Sequence, residues 1–310
     1  FAIAVISTYH PDQIFCARRE SPLMIGIGDE LKFVGSDFNA FIDYTKSAII
    51  IEDDEYAILS RDSYVVKNFL TQEEVVKAIT KIEWDSETAK KAGYPHYMLK
   101  EIYEQPQTIN TALELDSGLM DEMVDLIDTS DNAYFVGVGT TFYVAKFSKY
   151  LFSSLADLFI PALSSDEFIS LAKVNKKSLV LTVSQSGETF DTISALKFAK
   201  AKGAKTAAVV NVMGSSIARL VDKVVLQGSG PEICVISTKA AFAQMITLTL
   251  LALKLGLKKK KIKQREYEVS IKALHELPEV IQNILNERSG FIHRIANNYS
   301  KVKNWLYLGR

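Results

Sequence analysis

Only two cysteines, Cys16 and Cys234, stand in the 310 residues, and they lie far apart. That scarcity excludes a disulfide framework and a CxxC metal knuckle, and it fits a reducing, cytoplasmic setting. Histidine is almost as rare. His10, His96, His275 and His293 fall in four different regions without metal-ligand spacing, so each is expected at the surface or in a connector, with no metal bound. Charge of one sign is missing as well. A formal net charge of -1 leaves no basic field to hold nucleic acid or an anionic membrane, and neither is expected as a partner. Nor is there a long apolar run. The greasiest stretch, Ala240 to Leu253, carries Gln244, Thr247 and Thr249. It falls short of the ~20 residues a membrane span needs, and reads as a buried helix. The opening Phe1–Ser7 has no basic lead and no small-residue cleavage site, so it reads as a strand and not as a signal core.

What is present is an ordinary globular mixture, 48 % hydrophobic and 24 % charged, in a chain long enough for more than one core. The first 69 residues are rich in short apolar or alternating runs: Phe1–Ser7, Ile14–Arg18, Leu23–Ile27, Leu31–Ser36, Ser47–Glu52 and Glu55–Ser60. Turn clusters separate them, and only Asp37–Thr45 reads as a short helix. A helix is expected to start at Thr71-Gln-Glu-Glu74, with a capping threonine and acids in its first turn. A charged, aromatic connector follows, and Pro106–Asp116 reads as one more short helix.

Beyond it strand and helix alternate. Strands are expected at Ala133–Val136, Leu158–Pro161, Ser178–Val183, Thr206–Val212 and Lys223–Gln227. Helices are expected at Thr140–Leu155, Ser165–Leu171, Glu188–Lys202, Ser215–Val221 and Thr238–Leu255, the last stopped by Gly256. Apolar strands alternating with helices predict a parallel sheet covered on both faces. From Gly256 to Asn304 the chain reads as polar helix. There Lys258–Lys261 sits past a helix end, where the dipole favours cations, and reads as a solvated face. The stretch from Trp305 to Arg310 reads as another strand running into glycine.

In an open α/β sheet, ligands bind beyond the carboxyl ends of the strands, near helix N-termini. Three such junctions carry small hydroxyl residues: Gly139-Thr140-Thr141, Ser184-Gln-Ser-Gly-Glu-Thr189 and Ser237-Thr238. The middle one is the most informative. Hydroxyls, a glycine that lets the backbone close in, and a helix start suit a dianionic phosphate. A serine-rich N-cap is the plainer explanation. No lysine follows Gly187, so this is no P-loop, and a phosphomonoester suits it better than a nucleotide. Gly137-Val-Gly139 is followed by Phe142 where a dinucleotide fingerprint needs a small residue, so no nicotinamide or other cofactor is expected.

Val183-Ser-Gln-Ser-Gly-Glu-Thr189 resembles the phosphate loop of sugar-isomerase (SIS) domains, and Val235-Ile-Ser-Thr-Lys239 resembles the segment that opens a later helix there. His96-Tyr-Met-Leu-Lys-Glu-Ile-Tyr-Glu-Gln-Pro106 is similar to the connector of the glutamine–fructose-6-phosphate aminotransferase (isomerizing) family. With Ser21-Pro-Leu23 and Gly35-Ser-Asp37 in order, the first 69 residues resemble the last third of its glutaminase domain.

The resemblance implies an α/β chain: a SIS-type doubly wound parallel five-stranded sheet with flanking helices, preceded by the C-terminal part of an N-terminal-nucleophile (α+β) glutaminase domain. The divisions implied are 1–69 glutaminase, 70–123 connector and helices, 124–262 first SIS domain, 263–303 helical connector and 304–310 start of a second SIS domain. It also implies conversion of fructose 6-phosphate and glutamine to glucosamine 6-phosphate and glutamate, in a homodimer. Carried over residue by residue, Thr141, Ser184, Gln185, Ser186 and Thr189 would hold the phosphate, and Thr140, Val235 and Ser237 would line the sugar. Phe1 departs from the family's nucleophilic cysteine, Val138 stands where bacterial members often have cysteine, and the isomerase catalysts are expected outside residues 1–310. The alternatives are a SIS-type glucosamine-6-phosphate deaminase and a non-catalytic SIS sugar-phosphate sensor.

Overall fold

A computed structural model describes residues 1–19, 21–81 and 91–306. The first part forms two antiparallel sheets. Strands β1 (Ala2–Ser7), β2 (His10–Arg18), β6 (Glu55–Leu59) and β7 (Tyr64–Asn68) make one, in the order β1-β2-β6-β7. Strands β3 (Met24–Ile27), β4 (Lys32–Gly35), β5 (Ser47–Ile50) and β8 (Thr80–Lys81) make the other, in the order β4-β3-β5-β8. Along β6 every second residue is buried, and Ala57, Leu59, Cys16 and Val66 of the first sheet pack with Ile25 and Ile49 of the second. One face of the first sheet thus packs on the second, whose other face buries Met24 and Ala48 with Phe38, Phe41 and Val212.

Two expectations fail in this part. Thr71–Glu74 opens no helix. The Asn68 side-chain oxygen accepts from the Leu70 and Thr71 N–H groups at 2.9 and 3.0 Å, Gln72 takes a φ of 61°, and Val75 N–H donates to Val66 O. The asparagine closes a turn that returns the chain onto β7, and burial of Val75 favours that pairing over the local capping signal. Asp37–Thr45 holds only a 3-10 turn at Phe38–Ala40. Three-residue spacing carries both Phe38 and Phe41 into one apolar cluster, which a tighter turn serves better.

The connector is helical. Helices α1 (Tyr97–Tyr103), α2 (Gln105–Leu113) and α3 (Ser117–Asp128) follow one another, the last capped by Asp116, which accepts from Leu119 N–H at 2.7 Å. Helix α3 was not expected. It crosses the anticipated boundary at 123/124, and its Met120, Met123, Val124 and Ile127 pack in the core of the next domain.

That domain is a fully parallel five-stranded sheet of β9 (Asn132–Gly137), β10 (Ala162–Ser164), β11 (Ser178–Ser184), β12 (Lys205–Val210) and β13 (Lys223–Leu226). The order is β10-β9-β11-β12-β13, and all of β11, at the centre, is buried. Helices α3, α4 (Thr140–Ala156) and α8 (Lys239–Lys258) cover one face. Helices α5 (Ser165–Leu171), α6 (Phe190–Ala201) and α7 (Ser216–Leu220) cover the other. The chain leaves β9 toward β10 and then crosses to β11 on the opposite side, so the carboxyl ends of β9 and β11 flank a topological switch point.

Two details depart from expectation here. The second strand starts after Leu158–Pro161, at Ala162, because Pro161 has no N–H to give the ladder; its carbonyl still accepts from Phe135 N–H. Gly256 does not stop α8, which runs to Lys258. A Cβ at Gly256 would sit 2.3 Å from Leu155 O, so the glycine permits close approach of α4 and α8. Helix α8 is long and apolar enough to cross a membrane, yet it is mostly buried against α4 and the sheet. The lysines after it are ion-paired: Lys258 with Asp125 and Asp128, Lys259 with Asp128, Lys261 with Asp157. Helix α9 (Gln264–Asn298) runs 35 residues, laying Leu274, Leu277 and Ile281 against α2 and α8. Trp305 and Leu306 adopt no regular structure, and the rest of the strand expected there lies outside the described residues.

Candidate phosphosugar site

The cleft at the switch point has three walls, each the exit of a parallel strand. The first follows β9. Gly139 takes a φ of 59° and is the N-cap of α4 without offering a side chain, so the first amides of that helix are left open to the cleft. Thr141 is committed locally: its hydroxyl donates to Val138 O at 2.9 Å and accepts from Val138 N–H at 3.1 Å.

The second wall follows β11. Ser184 Oγ accepts from Gly187 N–H at 3.0 Å and lies 3.4 Å from Thr189 Oγ1, and Ser186 Oγ accepts from Glu188 N–H at 3.2 Å. Gly187 has a φ of 68°, and a Cβ there would come within 2.0 Å of Ser215 Oγ. Only glycine fits. Thr189, which lines the cleft, is the N-cap of α6 and makes no side-chain cap bond, so the first amides of that helix are not capped by it. Glu188 is not part of the lining. Its carboxylate accepts from Ser216 N–H at 2.7 Å, at the start of α7, while the other oxygen is buried without a hydrogen-bond partner. Burial pushes its pKa up, against hydrogen bonds from Ser216 and the charges of Arg219 and Arg18.

The third wall is the segment after β13. Glu232 is buried and caps α8: its carboxylate accepts from Thr238 N–H at 2.8 Å, Ala240 N–H at 3.1 Å and the Ser237 hydroxyl at 2.8 Å. An acid at a helix N-terminus is favoured by the dipole. Glu101 of α1 accepts from Ile233 and Cys234 N–H groups at 2.6 and 3.1 Å, and Lys239 pairs with Glu104 at 2.6 Å.

The cleft holds about 320 Å³ and is lined by Thr140, Thr141, Ser184, Gln185, Ser186, Thr189, Val235 and Ser237, the whole anticipated set. Val138, Gly139, Glu232, Cys234 and Ile236 complete the lining. Gly139 stood in the first junction and Ile236 in the Val235–Lys239 motif without a role assigned to them, and no sequence signal pointed to Glu232 or Cys234. Among the described residues the lining has hydroxyls, amides and the Glu232 carboxylate but no lysine or arginine. All four histidines are exposed and none lines the cleft.

The SIS domain family matches residues 125–254. Over its whole length the chain is similar to glutamine–fructose-6-phosphate aminotransferases [isomerizing], at 39 % identity to that of Thermococcus kodakarensis, of which it covers 52 %. To that of Methanocaldococcus jannaschii it is 37 % identical and covers 28 %. The chain thus spans about half the length of these relatives, or less. A solved C-terminal domain of glucosamine-fructose-6-phosphate aminotransferase from Francisella tularensis superposes with a TM-score of 0.61 at 29 % identity, over 68 % of this chain and 61 % of that one. A Clostridium difficile structure with a TM-score of 0.54 at 19 % identity, over 66 % of this chain and 56 % of its own, shares the fold. Residues 125–254 are therefore a SIS domain, set in a chain that resembles glutamine–fructose-6-phosphate aminotransferases from end to end.

Proposed function

We propose that this chain is the sugar-phosphate-binding part of an enzyme that converts fructose 6-phosphate and glutamine to glucosamine 6-phosphate and glutamate. The observation that carries the reading is the cleft itself. Two helix N-termini with free amides converge on it beside Ser184, Ser186 and Thr189. Donors without a neutralising lysine suit a phosphate that is held and not transferred. Thr141, already bonded to Val138, would shape the first wall, with Gln185 completing the ring of donors. Thr140, Val235 and Ser237 then face the sugar.

The antiparallel layer before the connector favours the aminotransferase over a deaminase or a sensor, since neither needs a glutaminase-like sheet. On this reading residues 1–69 belong to the glutaminase part and 124–262 to the first SIS domain, and the enzyme is a cytoplasmic homodimer. The test is an assay of the full-length protein with glutamine or free ammonia as nitrogen donor. Glucosamine 6-phosphate formed from glutamine is the expected result. Product from ammonia but never from glutamine would favour the deaminase, and fructose 6-phosphate that does not bind at all would overturn both.

A further inference from the structure

Residues 231–238 have no regular secondary structure, yet they form the cleft wall opposite the phosphate loop. Their hold comes from a distant part of the chain. Glu101, on α1, is 1 % exposed and receives the N–H groups of Ile233 and Cys234 on one carboxylate oxygen. Its other oxygen is buried without a hydrogen-bond partner. One helical turn on, Glu104 pairs with Lys239, which is 3 % exposed and begins α8. Helix α1 therefore holds the segment at both ends, at 233–234 and at 239. Between them Val235 is fully exposed and Ile236 is 57 % exposed, an apolar tip beside the cleft. Helix α1 lies outside the residues matched to the SIS family.

A buried carboxylate with one unpartnered oxygen costs stability. Its position suits a different task. We propose that Glu101 is a positioning residue that sets the Cys234–Ser237 wall against the sugar, so that the connector helix governs the sugar half of the cleft while residues 184–189 govern the phosphate half. This rests on the phosphosugar reading above.

The two halves separate in a titration of the full-length protein with inorganic phosphate and with fructose 6-phosphate. Glu101→Ala removes both N–H contacts, and should weaken fructose 6-phosphate binding about tenfold or more while phosphate binding stays within about twofold. Glu101→Gln keeps an acceptor for the two N–H groups and changes only the unpartnered position. It should bind the sugar phosphate within about threefold of wild type. Should Glu101→Ala fail to fold, Glu104→Gln, which releases Lys239 at the other end of the segment, carries the same expectation. Unchanged fructose 6-phosphate affinity in the folded variants overturns the proposal. So does equal loss of both ligands, which would make Glu101 a support of the fold alone. A wild-type protein that binds fructose 6-phosphate no better than inorganic phosphate leaves the wall no sugar to position, and overturns it too. Failure of the wild type to bind either ligand overturns the phosphosugar reading itself.

Discussion

Two loops face each other across the cleft and are held differently. Side chains close the loop after β11 over a short range, Ser184 holding Gly187 and Ser186 holding Glu188, while N–H groups of Asn211, Ile217 and Ser216 tie Gln185 O, Gly187 O and the Glu188 carboxylate to the stretch running from β12 into α7. The segment after β13 is closed at one end by Glu232 from within, and at the other by Glu101, 132 residues upstream of Ile233. A locally closed loop can be recognised as a motif and survives in many contexts. A loop closed from afar takes its shape from whatever domain lies beside it. On the proposed reading, one loop would hold the common group, the phosphate, and the other would adapt to the rest of the ligand.

The strongest way to break the comparison is Gly187→Ala. The new methyl meets Ser215 Oγ at 2.0 Å in a backbone conformation that L side chains rarely adopt. Either the α6 N-terminus or α7 must shift, so fructose 6-phosphate binding should fall more than about 100-fold, with a destabilisation of about 1–3 kcal/mol. Calorimetric titration and thermal unfolding read both. Wild-type affinity in that variant would show that the loop does not shape the site.

Ser186→Ala and Thr189→Ala remove single hydroxyls and leave the backbone path intact. A hydrogen bond to a charged acceptor is worth roughly 1.5–3 kcal/mol, so binding of the phosphate ester should weaken about 10- to 100-fold. Unphosphorylated fructose should not distinguish them from wild type. Retained affinity for the ester with the fold intact would reduce the loop to a helix cap.

The cysteines sharpen the contrast between core and cleft. Cys16 is packed between the two antiparallel sheets, and burial pushes its thiol up to about 11. Cys234 is half-buried and lines the cleft. Brief alkylation with iodoacetamide, read by mass spectrometry, should label Cys234 well before Cys16, and fructose 6-phosphate should slow the labelling of Cys234 several-fold. Labelling of Cys234 indifferent to the sugar phosphate would place the ligand away from the third wall.

The smallest effect concerns Glu188, whose side chain is outside the cleft lining. Its folded-state pKa lies above its ordinary 4.5, chiefly through burial. A raised pKa means the folded protein holds the proton more tightly than the unfolded chain. The contribution of Glu188 to stability is therefore full below the ordinary value and is lost as pH rises through the raised one. Glu188→Gln removes that loss and replaces the unpartnered oxygen. Its stability relative to wild type should improve between about pH 4 and about pH 7. Denaturant unfolding at the two pH values measures this. A variant whose relative stability falls over that range contradicts the sign.

Legibility in the sequence follows the range of the forces involved. The strand exits at Gly137–Thr141 and Ser184–Thr189 could be read because short polar side chains, glycine and a helix start act over a few residues. Thr71–Glu74 misled for the complementary reason: a good local helix start was overruled by Asn68 and by burial of Val75 on β7. Gly256 looked like a stop and is a packing residue, because the space it leaves belongs to Leu155 of another helix. Helix α3 escaped notice because Gly118 and its neighbouring acids masked an apolar stripe of Met120, Met123, Val124 and Ile127.

The alternation that makes a parallel sheet, the apolar strand at Ser178–Val183 and the polar loop that opens α6 are all written in the sequence. Each of these depends on hydrophobic periodicity or on hydrogen bonds between near neighbours. Only the tertiary structure decided that three strand exits meet in one cleft, that the Glu188 side chain stays outside its lining, and that Glu101 and Glu104 hold its far wall. Strand order sets the first, and order is a matter of chain crossover. The other two turn on carboxylates whose partners lie 28, 132 and 135 residues away, and side chains so far apart in sequence meet only once the sheet and its helices have packed.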